Sequence, residues 1–257
     1  MLAQMRKHRL TLIFVSMVFS LQSFIALASN RQVTNFAQAK KLASRIHAEH
    51  PFTIYCPCRY SGKTVDLQSC EYSVHKDARR ARRLEWEHVV PAEAFGKSFA
   101  EWRDGAPHCL KRGKVYKGRK CAGTNTEFSR MEADLYNLWP SIGELNGLRS
   151  NYSMASIADA HPLTFGKCRA KIASRKFEPM DEYKGIVARV YMYMDLTYPG
   201  RGVISEKNRP LFEAWDRSYP VNSWECRRAN KINEIQGNVN PILAERCRAS
   251  KPQPQTS

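Results

Sequence analysis

Eight cysteines constrain this chain more than any other feature, because Cys56, Cys58, Cys70, Cys109, Cys121, Cys168, Cys226 and Cys247 all follow an N-terminal export signal. Arg6, Lys7 and Arg9 precede an apolar run from Leu10 to about Leu21, and Ala26-Leu27-Ala28 supplies a small-x-small cleavage signal. Residues 1–28 therefore read as a secretory signal peptide. A membrane anchor is the weaker reading, since the run is short for a bilayer span and Gln22 and Ser23 break it. Cleavage after Ala28 takes 28 of the 257 residues and leaves 229, enough for one domain with its own core. An even number of exported cysteines predicts four disulfides. Roughly a hundred pairings are possible, so spacing does not fix the connectivity. Cys109 with Cys121 and Cys226 with Cys247 are the sequence-local pairs. A zinc site competes poorly: Cys56-Pro-Cys58 has the wrong gap for a zinc knuckle, and no Cys-x2-Cys occurs.

Charge narrows the partner. The chain carries +17, and losing the signal with its three basic and no acidic residues leaves +14. A polyanion such as nucleic acid fits that balance, although a merely soluble basic protein would share it. Distribution favours phosphate contacts. Arg79, Arg80, Arg82 and Arg83 form one cluster, and Lys111, Arg112, Lys114, Lys117, Arg119 and Lys120 form a second.

Phe36, Ala39, Leu42, Ala43 and Ile46 recur at helical spacing until His50-Pro51, which predicts an amphipathic helix over 34–48 that covers the core. Thr53–Cys56 and Thr64–Leu67, separated by Ser61-Gly62-Lys63, read as a cysteine-tied hairpin, and Leu84–Val90 as a third strand. The Lys-, Arg- and Gly-rich stretch between Glu93 and Asn125 is too long for a plain connection, so it is a functional candidate, stapled by Cys109 and Cys121. Thr124 with Glu127 suggests a capping box at the start of a helix whose stripe is Phe128, Met131, Leu135 and Leu138, ended by Pro140. A second strong helix runs from Asp181 to Leu196 and a shorter one over Pro210–Arg217, while residues 251–257 read as a disordered polar tail. No repeat or domain-splitting linker is visible.

The densest chemistry lies in Glu85-Trp86-Glu87-His88-Val89-Val90-Pro91-Ala92, where two acids and a histidine interrupt an apolar strand. It is not the zinc-protease helix motif, because no histidine follows His88 at four residues and Pro91 would interrupt a helix. Glu87 and His88 point to opposite faces of a flat strand, so they share one site only at a strand end. On the expected helix, Asn137 falls about 200° around from Leu135, off the buried stripe. An Asn there is ordinarily a cap or solvated. What marks it is its setting, Asp134-Leu135-Tyr136-Asn137-Leu138-Trp139-Pro140, followed by Gly143-Glu144-Leu145-Asn146-Gly147 and Arg149-Ser150-Asn151-Tyr152. Trp86 and Trp139 read as core in preference to base-stacking platforms, and His47, His50, His75, His108 and His161 as surface or structural.

With these segments, together with Val65–Cys70, Arg130–Asp134, Pro140–Glu144, Ala188–Tyr191 and Trp224–Cys226, the chain resembles the bacterial endonuclease I family of periplasmic and secreted nucleases, members of the ββα-metal (His-Me finger) class. The resemblance covers nearly all of the mature part. It implies an α+β fold over 29–250 whose ββα-metal core, with His88 on a strand and Asn137 on a helix, is wrapped by helices. It places the general base on His88, the metal ligands on Glu87 and Asn137, and the phosphate-binding arginine on Arg119. The chain departs from the family at Tyr136, where a His is common, and around Lys111–Gly123, which leaves Arg112 as the alternative to Arg119.

The implied chemistry suits the residue types. A neutral imidazole can take a proton from water, two hard oxygen ligands suit Mg2+, and an arginine can grip a phosphate with two donors. The expected function is metal-dependent hydrolysis of DNA, and of RNA as well, with low sequence specificity, by a monomer in the periplasm or outside the cell, with no membrane partner after signal cleavage. Two rivals remain at this level: a non-catalytic exported nucleic-acid-binding protein, and an exported phosphoesterase acting on small substrates.

Overall fold

The computed structural model describes residues 29–250; the signal peptide expected over 1–28 and the tail over 251–257 lie outside the described residues. Periodic apolar residues make α1 (Phe36–Ile46), which buries Ala39, Ala43 and Ile46 and starts at Asn35, whose side chain accepts from the Gln38 N–H. The expected strand over Thr53–Cys56 does not form. Tyr55 adopts φ 73° there, and the Thr53 hydroxyl donates to the Cys56 carbonyl at 2.5 Å. Diverging disulfides turn the backbone at this point, since Cys56 bonds Cys168 while Cys58, two residues on, bonds Cys70. The hairpin is instead β1 (Tyr60–Ser61) with β2 (Thr64–Val65), closing on Gly62 at φ 57°. Asp77 caps α2 (Ala78–Ala81), which feeds β3 (Leu84–His88).

The stretch after β3 is more ordered than a loop. It holds α3 (Ala92–Gly96), α4 (Ala100–Arg103), an exposed hairpin of β4 (Leu110–Lys111) with β5 (Lys114–Val115), and α5 (Arg119–Ala122). The Cys109–Cys121 bridge ties that hairpin to α5.

The helix does not run from Thr124 to Leu138: α6 spans Thr126–Glu132, and its cap is Asn125, which accepts from the Glu127 and Phe128 N–H groups. Thr124 makes no capping box, because its hydroxyl donates to the Cys121 carbonyl at 2.7 Å. Asp134 breaks the helix. Its buried carboxylate accepts from the Tyr136 N–H, the Tyr193 and Tyr198 hydroxyls and the Gln236 amide, at 3.0, 2.8, 2.8 and 2.9 Å. Asn137 therefore stands on a 3-10 turn, Leu135–Asn137, and the chain enters β6 (Leu138–Ile142) rather than stopping at Pro140. β6 pairs antiparallel with β3, placing Glu87 opposite Trp139 and His88 opposite Leu138. Pro140 is tolerated because the sheet has only two strands and so leaves one edge of β6 outside the ladder.

α7 (Gly143–Arg149) begins where β6 ends. A Cβ on Gly143 would lie 2.5 Å from the Arg80 carbonyl oxygen and 2.8 Å from that of Arg83, so only glycine lets this helix start against the entry to β3. Then come β7 (Ser153–Met154), β8 (Leu163–Phe165), β9 (Cys168–Ala173) and β10 (Lys176–Glu178), a sheet of order β7-β10-β9-β8 that periodicity did not announce. The expected long helix is α8 (Asp181–Thr197) and the shorter one α9 (Arg209–Ser218); α10 (Ser223–Gln236) and α11 (Pro241–Ala249) complete the chain and are joined by Cys226–Cys247. On α8, buried Arg189 forks onto Glu225 at 2.8 Å through both Nε and Nη2 and reaches Asp216 at 3.1 Å, clamping α8, α9 and α10 together. The fold is α+β, with every cysteine among the described residues in a disulfide.

Candidate functional site

β3 and α7, with Phe36 of α1 and Arg119 of α5, line one cleft of about 330 Å³, whose lining includes Glu87, His88, Arg119, Asn146 and Arg149. β3 ends at His88, which lets the adjacent Glu87 and His88 side chains reach the same cleft. Val89 and Val90 turn away under the control of Asn137: the Val89 N–H donates to its backbone carbonyl at 3.1 Å, the Val90 N–H to its Oδ1 at 2.7 Å, and its Nδ2 to the Val90 carbonyl at 3.0 Å. Asn137 is fully buried and absent from the cleft lining. Its amide oxygen accepts a backbone N–H, so the structure uses Asn137, expected as a metal ligand, to hold the turn behind the cleft.

His88 sets its own tautomer. Nε2 lies 2.7 Å from the Glu132 carbonyl oxygen, so the ring proton resides there and Nδ1 keeps its lone pair. Burial, and then the Arg119 guanidinium, push the His88 pKa down to about 4, which keeps the imidazole neutral at physiological pH. Glu132 serves twice, since its carboxylate also accepts from Arg119 Nε at 2.5 Å. That bond fixes the guanidinium plane while its two terminal nitrogens make no hydrogen bond among the described residues. Arg112 occupies the exposed β4–β5 turn at φ 52° and does not line the cleft.

Glu87 is held by one oxygen. Its Oε1 accepts from the Tyr55 hydroxyl at 3.0 Å and from Arg149 Nη1 at 2.9 Å, whereas Oε2 has no hydrogen-bond partner among the described residues. Burial raises the Glu87 pKa to about 7 against the pull of Arg149 and Tyr55, so a cation beside Oε2 would be what keeps the carboxyl ionised. Arg149, fully buried, also donates to the carbonyls of His88 at 3.1 Å and Val89 at 2.6 Å and so fixes the backbone at the end of β3.

Asn146, on α7, lines the same cleft as Glu87. Its Nδ2 donates to Glu85 Oε2 at 3.0 Å, and Glu85 is itself gripped by Arg80 at 2.9 Å and by Arg83. This orients the amide, and Oδ1 has no hydrogen-bond partner among the described residues. No three His, Cys, Asp or Glu side chains converge among the described residues. A cation here would instead be met by one carboxylate and one amide oxygen, a sparse hard-oxygen set of the kind Mg2+ accepts while keeping most of its water.

Sequence reasoning left Asn146, Arg149, Glu132 and Tyr55 without roles, although the first three lie in segments it singled out. Asn146 carried no local signal, because the Glu85 that orients it lies 61 residues away. Trp139 is core, with the Arg228 guanidinium 3.9 Å over its ring, but half-buried Trp86 lines the cleft. His47 is structural: it is buried and accepts from Arg228 Nε at 3.0 Å.

A strand-end histidine beside a buried carboxylate, with a helix-borne amide and an arginine on the same cleft, is a set of groups chemically suited to a hydrolytic site acting on an anionic substrate. The endonuclease I family model matches residues 20–247. An extracellular deoxyribonuclease of Aeromonas hydrophila is 39% identical over 236 residues, covering 89% of this chain and 96% of its own. A periplasmic deoxyribonuclease of the same organism is 39% identical over 224 residues, covering 84% and 88%. Endonuclease-1 of Buchnera aphidicola (Acyrthosiphon pisum) is 37% identical over 223 residues, covering 84% and 83%. The chain belongs to the endonuclease I family and is an endonuclease.

Proposed function

We propose that this protein is an exported, divalent-metal-dependent endonuclease that cuts DNA, and RNA as well, with little regard for sequence, and that β3, β6 and α7 are its ββα-metal core. The observation that carries this reading is that His88, Glu87, Asn146 and Arg119 line one cleft, and that His88 Nδ1, Glu87 Oε2, Asn146 Oδ1 and the terminal nitrogens of Arg119 make no hydrogen bond among the described residues while partners fix the rest of each side chain. Four disulfides and relatives named as periplasmic and extracellular enzymes support a location outside the cytoplasm.

His88 Nδ1 accepts the proton of the attacking water, and the Glu132 carbonyl steadies the imidazolium that forms. Arg119 holds a non-bridging phosphate oxygen. Glu87 and Asn146 would hold the metal, which when bound supplies positive charge at the scissile phosphate and the leaving 3′-oxygen. Arg149 and Tyr55 keep the Glu87 carboxylate in place throughout. Contacts of this kind read phosphate and not base edges, which is why specificity is low.

The deciding experiment is digestion of supercoiled plasmid and of a structured RNA by the oxidised, signal-cleaved protein, which should elute as a monomer. Cleavage with Mg2+ that stops in excess EDTA is expected. Persistent cutting in EDTA overturns the metal requirement, and intact plasmid with Mg2+ overturns the nuclease.

A further inference from the structure

A second and larger concavity, about 930 Å³, opens beside the catalytic cleft and shares Phe36, Trp86 and Asn146 with it. Its basic wall is new relative to the arginine and lysine clusters visible in the sequence. Ala37, Lys40, Lys41, Ser44 and Arg45 recur at helical spacing, so α1 turns one exposed face into the groove while Ala39, Ala43 and Ile46 bury the other. Lys63, at the tip of the β1–β2 hairpin, and Arg83 add charge from the opposite side. Five cations thus face one carboxylate, Glu85, which is already neutralised by Arg80 and Arg83. Lys40, Lys41, Arg45 and Lys63 form no ion pair among the described residues. Lys40 instead lies 4.7 Å over the Phe36 ring.

Resting on the reading of the cleft as a phosphodiester site, we propose that this groove is the track for the nucleic-acid strand flanking the scissile phosphate on one side, with phosphates on α1 and Lys63 and a base against Trp86. From Ala37 to Arg45 the helix advances roughly 12 Å at 1.5 Å per residue, longer than the roughly 3.4 Å of axis that duplex DNA allots each phosphate of one strand, so it can serve more than one successive phosphate. Concavity, unpaired cations and a half-exposed aromatic wall form the combination that holds single strands without reading sequence. The enzyme is therefore built for polymers, and fragments too short to fill the groove are poor substrates.

The test compares the wild type with a K40Q/K41Q/R45Q variant on a ladder of oligonucleotides from two to twenty nucleotides. The three side chains are exposed, so the fold is retained. The expected wild-type result is kcat/KM rising steeply with length, and the variant should reduce the ratio of twenty-mer to dinucleotide at least tenfold through KM. In EDTA, the slope of log affinity against log salt for a single strand should fall by roughly 2, at about 0.7 per lost contact. A control variant, K167Q/R209Q/K231Q, removes three cations that are already paired with acids elsewhere, and it should keep the wild-type ratio. An unchanged ratio in the α1 variant, or an equal loss in the control, overturns the groove assignment. Wild-type protein that cuts nothing on the ladder instead overturns the reading of the cleft.

Discussion

At the scale of single residues two asparagines, Asn137 behind the cleft and Asn146 on it, have opposite duties. Asn137 spends its whole amide on Val90, while Asn146 spends only its nitrogen, on Glu85. Asn137→Ala should strand a buried N–H and a buried carbonyl, costing about 2 kcal/mol or more and lowering Tm by roughly 4–8 °C. Asn146→Ala should leave Tm near wild type and raise the Mg2+ concentration for half-maximal cleavage at least tenfold. Thermal melts and Mg2+ titrations of the two variants separate the roles, and equal Mg2+ dependence would restore Asn137 as the ligand. His88→Ala should lose cleavage by about 10² to 10⁴-fold, the usual worth of a positioned base, while binding DNA in EDTA as well as the wild type does. Near wild-type turnover in that variant would remove His88 as the base. His88 and Glu87 were legible in the sequence because acids and a histidine inside an apolar strand are costly without a purpose. Asn146 was not, since an Asn on a helix carries no local mark of the Glu85 that orients it.

Among the elements, α1 and α8 were legible because their apolar residues repeat at the helical period and their faces are buried accordingly. The α6-to-β6 segment was not. Its break is imposed at Asp134 by Tyr193, Tyr198 and Gln236, which lie 59, 64 and 102 residues away, beyond any local pattern. A similar distant hold operates at the start of α7. Burial alone would raise the Glu144 pKa, but the N–H groups of Asp77, Lys76 and His75 and the Tyr72 hydroxyl outweigh it and leave the carboxyl below its ordinary value of about 4.5. A lowered folded-state pKa gives stability that is present above the ordinary value and lost as pH falls through the folded one. Glu144→Gln should therefore lower Tm at pH 7 and flatten its decline between pH 5 and pH 3, as melts across that range would read; a parallel decline would contradict the ionised clamp. On α5, a four-residue helix cannot orient Arg119 unaided. The double variant C109S/C121S should lose about 3 kcal/mol from opening its short loop and several-fold in kcat, with the other three bridges intact. Undiminished kcat would mean that the Glu132 contact alone holds Arg119.

Over the whole molecule, the cysteine count gave four bridges and the two sequence-local pairs, but it did not give the partner of Cys56. That partner, Cys168, lies 112 residues on, at the first position of β9 in the sheet that periodicity also missed. The bridge sits next to Tyr55, whose hydroxyl supports Glu87, so one crosslink joins β9 to the segment that props the cleft carboxylate. The crosslink also has a consequence for biogenesis. A chain crossing a membrane N-terminus first presents its thiols in order, and an oxidant that joins them as they appear would couple Cys56 to Cys58 and pass the error to Cys70, Cys109 and Cys121. Cys56 must stay unpaired while 112 further residues arrive, or be released from a wrong partner afterwards. Maturation should thus depend on a thiol-shuffling catalyst and not on an oxidant alone. Refolding of the reduced protein should give little active enzyme with oxidant only and recover in a glutathione buffer. A C56A/C168A variant should regain its three remaining bridges in either condition.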